Sequence, residues 1–87
     1  MPDWVDLVGQ LTPSELRVLA VLCGNPGCTN SQLAELLSVT ESCVEFHLRN
    51  IYRKTGAHGK VCLLLVCKDL GFDRVATKFI PPHLAAD

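Results

Sequence analysis

Twice in this chain a threonine stands three residues before a side chain able to return its hydrogen bond: Thr12 before Glu15, and Thr29 before Gln32. Each pair spells a capping box. The threonine hydroxyl accepts from the backbone N–H three residues on, and the longer side chain accepts from the threonine's own N–H. Both pairs therefore mark helix starts. Pro13 sharpens the first, since it falls where a helix needs no N–H. Leu16, Leu19, Ala20 and Cys23 follow at the spacing of one helical face, until Gly24-Asn25-Pro26-Gly27 ends the run. The second start opens a short helix with Leu33, Ala34, Leu36 and Leu37 as its apolar face. Ser38-Val39-Thr40 breaks it, and Thr40 caps a third helix over about 41–55 that Gly56 stops in the left-handed C-cap position. A fourth helix runs over about 59–70 and ends at Gly71.

Asp3 to Val8 predicts one helical turn, and Pro81-Pro82 must break any helix in the tail. No segment alternates with a period of two, so the fold class is all-α. Two helices joined by a three-residue turn form a helix-turn-helix, whose second member enters a major groove. The expected organisation is an N-terminal segment (1–10), a four-helix helix-turn-helix domain (11–71) and a C-terminal extension (72–87). With 48% hydrophobic residues, the 87-residue chain can build one core but not two.

A net charge of −1 at first argues against a nucleic-acid partner. Its distribution argues the other way. Six acids and one base, Arg17, lie between Met1 and Glu45, whereas Phe46 to Lys68 holds five bases (Arg49, Arg53, Lys54, Lys60, Lys68) and no acid. At about 100° per residue, the third helix turns Val44, His47, Leu48 and Ile51 to one side and Ser42, Glu45, Phe46, Arg49 and Arg53 to the other. The second set suits base edges. Arginine bonds bidentately to guanine, a carboxylate accepts from cytosine N4, and a phenyl ring meets a thymine methyl. Thr40, Lys54 and Lys60 suit phosphates, which supply position and salt-dependent affinity. The alternative is a solvated helix surface, against which Phe46 counts, because a large exposed ring needs a partner.

Five cysteines without a C-x-x-C pair spell neither a zinc site nor a redox motif, and reduced, packed thiols are expected, with Cys62 buried in its apolar run. His47 reads as a half-buried core-side ring, while His58 and His83 lack ligand spacing. No catalytic constellation or phosphate loop is present in the sequence, so the chain is read as a non-enzyme without cofactor or metal. No signal peptide is legible at the N-terminus, and Val61 to Cys67 is too short to span a bilayer, so a cytoplasmic location without membrane contact is expected.

These residues resemble a known family. Leu11-Thr12-Pro13-Ser14-Glu15-Leu16-Arg17-Val18-Leu19 is similar to the opening LTxxExxVL of the LuxR/FixJ/GerE-type DNA-binding domain. Thr29 to Leu37 resembles its SNxxIAxxL helix, and Val44 to Lys54 its VKxHLxNIYxKL recognition helix. The resemblance implies a LuxR-type four-helix domain, bacterial transcription control beside the nucleoid, and a third helix in the major groove of double-stranded DNA. It also implies a homodimer through the fourth helix, for which Val61, Leu64, Leu65 and Lys68 are the candidates. Phe72 to Leu84, with Phe72, Val75, Phe79 and Ile80, is the competing cover for that helix. The sequence departs from the family at Glu45, usually a DNA-contacting lysine, at Cys43, usually threonine, and at Thr55, usually leucine. Gly24 to Cys28 also lengthens the first loop. The Glu45 change implies either retuned specificity or weakened DNA binding. With no receiver or ligand-sensing domain, the chain reads as a stand-alone member. A helix-turn-helix turned to a protein partner, as an anti-activator or co-regulator, is the second function, and a redox sensor through Cys43 the third.

Overall fold

The structure, a computed structural model, describes residues 4–80. Five α-helices follow one another: α1 (Trp4–Gln10), α2 (Pro13–Gly24), α3 (Asn30–Leu37), α4 (Glu41–Thr55) and α5 (Lys60–Leu70). Two 3-10 turns, Phe72–Arg74 and Ala76–Phe79, complete the order. The four helices expected from the sequence are α2 to α5. The turn expected over Asp3 to Val8 is instead a helix of two turns, set down by the burial of Leu7 and the packing of Trp4 and Val8 on the core.

Both capping boxes close. Thr12 Oγ1 accepts from Glu15 N–H at 3.2 Å, and Glu15 Oε1 accepts from Thr12 N–H at 3.0 Å. Thr29 and Gln32 exchange the same pair at 3.2 and 2.9 Å. Thr40 accepts from Cys43 N–H at 3.1 Å and starts α4. Each such cap satisfies donors that a helix start otherwise leaves open, about 1 kcal/mol apiece. Ser38 takes the left-handed C-cap of α3 (φ 58°), and its N–H bonds to the carbonyls of Ala34 and Glu35. Gly56 and Gly71 end α4 and α5 in the same conformation.

The sequence spacing gave α2 one apolar face, but the helix is enclosed on nearly every side. Val18, Leu19, Ala20, Val21 and Leu22 are all buried. The reason is its central place: α3 and α4 pack against one side, and the 3-10 turn Ala76–Phe79 packs against another. The segment after Gly71 thus folds back chiefly on α2, with its first turn, Phe72–Arg74, against α5. Phe72 is fully buried and stacks on Phe79 with ring centroids 5.8 Å apart. Cys62 is half-buried rather than buried, whereas Cys67, one turn on, lies in the core. The part of the tail holding Pro81, Pro82, His83 and Leu84 lies outside the described residues. Among the described residues, no helix is long and apolar enough to cross a membrane.

Because Phe72 belongs to the same core as Leu19 and Leu63, Phe72→Ala is expected to cost about 3–5 kcal/mol. Urea denaturation followed by circular dichroism measures this. A loss below about 1 kcal/mol would show that the segment after Gly71 does not stabilise the core.

Candidate nucleic-acid interface

The geometry of α4 follows from what holds it. Val44, Leu48 and Ile51 are buried, and both α2 and α3 pack against this side. The five residues picked out for base contact all lie on the other side. Ser42, Glu45, Phe46, Arg49 and Arg53 are exposed, and Phe46 is 56% accessible, its ring meeting that of His47 edge to face at 5.7 Å. Three residues separate α3 from α4, so the pair is a helix-turn-helix whose second helix is held rigidly by its inner face. Glu41 in the first turn and Arg53 and Lys54 in the last match the helix dipole.

The far end of α4 is fixed by an ion pair that links residues 39 apart in sequence. Lys54 Nζ donates to Glu15 Oε1 at 2.7 Å, the same oxygen that accepts from Thr12 N–H. Glu15 is only 3% exposed. Burial alone would raise its pKa, but the Lys54 ammonium and the Thr12 N–H outweigh burial and hold the carboxyl below its ordinary value. Sequence reasoning missed this pair and assigned Lys54 to phosphate. The available signal was an acidic capping residue one position before the buried Leu16.

Lys60 is also engaged internally, its Nζ donating to the Cys28 carbonyl at 3.1 Å and tying the long α2–α3 loop to the start of α5. Thr40 Oγ1 is occupied by the α4 cap. The three residues expected at phosphates therefore have part of their bonding capacity already used. Arg49 and Arg53 have no ion-pair partner among the described residues. Beside them an open cleft is lined by Asn30, Glu45, Leu48, Arg49 and Tyr52. The Asn30 Oδ1 atom is enclosed there without a hydrogen-bond partner, and burial pushes the Tyr52 phenol up, keeping it a neutral donor.

On α5, Leu63 and Cys67 face the core, while Val61 (74% accessible) and Leu65 (59%) face outward with Lys68. Leu64 is half-buried between the two sides. Cys43, the thiol singled out as a redox candidate, is half-buried in the first turn of α4. The thiols of Cys23 and Cys67 neighbour each other, and interaction with Cys23 together with burial pushes the Cys67 thiol up.

Residues 9–67 match the sequence profile of the bacterial regulatory proteins, luxR family. Neither the curated proteins nor the solved structures gave a match.

Glu15→Gln keeps the shape but removes the charge, and is expected to lower stability by about 1–3 kcal/mol, as for a hydrogen bond to a charged group. Since the folded carboxyl is depressed, its contribution is complete above the ordinary carboxylate range and is lost as the pH falls through the folded value. The gap between wild type and variant in denaturation should therefore close on acidification. A gap that stays constant from neutral pH to about pH 3 would show that the ion pair contributes nothing.

Proposed function

The chain belongs to the luxR family of bacterial regulatory proteins, and from that premise we propose that it regulates transcription by laying α4 in the major groove. A helix-turn-helix of this family is a DNA-binding module and not an enzyme fold. The observation that carries the proposal is the outward side of α4, where Arg49 and Arg53 stand unpaired among the described residues beside exposed Ser42, Glu45 and Phe46. These five side chains face the bases. Thr40, Lys54 and Lys60 rim the groove and reach phosphates with the donors their internal bonds leave over. Each lysine ammonium has three N–H donors, and the structure gives one partner for each of the two. A DNA partner implies work in the bacterial cytoplasm, beside the nucleoid.

The dimer forms through α5, with Val61, Leu64, Leu65 and Lys68 at the contact. Two outward aliphatic side chains one turn apart on a short helix support that reading, since a second copy would cover both.

Selection from a random duplex pool across a salt series tests the DNA partner. A site should enrich, affinity should fall as salt rises, and Arg49→Glu with Arg53→Glu should weaken binding by roughly a hundredfold or more. Both arginines are exposed, so the helical circular dichroism should not change. Absence of binding at low salt would overturn the proposal and turn attention to protein partners.

Val61→Asp with Leu65→Asp should convert the dimer to a folded monomer in sedimentation. A wild-type monomer at concentrations far above those needed for DNA binding would exclude the α5 contact.

A further inference from the structure

Glu45 is the one acid on the outward side of α4 beyond its first turn. Its carboxylate has no ion pair or hydrogen bond among the described residues, although Arg49 stands one turn along and lines the same cleft. A free carboxylate carried between two phosphate strands is repelled, so the helix settles only where the groove offers a donor in return. Two base donors exist there, cytosine N4 and adenine N6. In the groove adenine N6 has an acceptor on each side, its own N7 and the O4 of the paired thymine. Cytosine N4 has one, the O6 of the paired guanine, and a C–H edge on the other side that leaves room for the second carboxylate oxygen. The complement of Glu45 is therefore cytosine.

Phe46 follows, about 100° further round the helix, and its exposed ring finds one apolar base group in the groove, the thymine methyl. Arg49 lies about 6 Å along the axis from Glu45, close to two base-pair steps of about 3.4 Å, and its fork fits guanine O6 and N7. Resting on the DNA-binding reading above, we infer that α4 reads a mixed half-site: a cytosine facing Glu45, a thymine methyl facing Phe46, and a guanine facing Arg49 about two steps from the cytosine. Glu45 is the specificity-determining residue. It acts mainly by excluding sequences that leave its charge unpaired, so it costs affinity on all other DNA.

The test uses the full chain and the duplex selected from a random pool. The selected half-site should contain cytosine, thymine and guanine in this arrangement. N4-methylation of the cytosine, which removes the groove-side donor, should weaken wild type about tenfold, and should leave Glu45→Gln unaffected. Deoxyuridine in place of the thymine deletes only the methyl and should weaken binding roughly fourfold. Glu45→Gln should bind mixed-sequence DNA more tightly than wild type and shift its preference from cytosine to adenine. An enriched site at which Glu45→Gln keeps every base preference of wild type overturns the inference and leaves the DNA-binding reading standing. Absence of wild-type binding to any duplex at low salt overturns both.

Discussion

Buried at the start of α2, the Glu15 carboxylate accepts from the Thr12 N–H of its own capping box and from Lys54 at the far end of α4. Neither partner alone accounts for a charged group at 3% exposure. A carboxylate taken from water loses several kcal/mol of hydration unless donors replace it. Here one oxygen accepts from both donors, so the local start of one helix and the placement of another depend on the same atom. The pair stands at the C-terminal end of α4, the Thr40 cap closes the N-terminal end, and α3 packs along the helix. Between these anchors Val44, Leu48 and Ile51 lock the inner side. The outward side is therefore presented as a rigid unit, which is what a groove-reading helix needs.

The enclosure of α2 gives that unit its support. A helix buried on nearly all sides needs cover from both, and α3 and α4 supply only part of it. The rest comes from beyond residue 67, where the match to the luxR family stops, through Phe72, Ala76 and the stacked Phe79. Leu7, before residue 9, joins the same core. Both flanks thus extend the apolar centre that the family motifs begin.

What was legible in the sequence was local. The two capping boxes, Pro13, and the stops at Gly56 and Gly71 act within four residues, so their signals survive without knowledge of the fold. The outward side of α4 was legible too, because a helix half in the core keeps its period of 3.6. Long-range facts were not. Lys54 looks like any exposed base until α2 brings Glu15 to it across 39 residues. Val18, Val21 and Leu22 are as apolar as Leu19, and periodicity fails when a helix is surrounded. Leu7 and Phe72 carry no cap or motif, and only the assembled core assigns them a place.

If α4 lies in a groove as proposed, the internal bonds of Lys54 and Lys60 bear on how the domain discriminates. Phosphate contact is the sequence-independent part of DNA affinity, and it scales with the number of cations free to displace counterions. On the DNA-binding reading, those two ammonium groups, partly committed inside the protein, and Glu45, which opposes the approach, reduce non-specific attraction. Arg49 and Arg53 remain uncommitted among the described residues, and a guanidinium gains most from a planar acceptor pair such as guanine O6 and N7. On that reading a larger share of the affinity falls to base edges. On that reading a net charge of −1 contributes to selectivity, because it limits attraction to DNA that α4 does not fit.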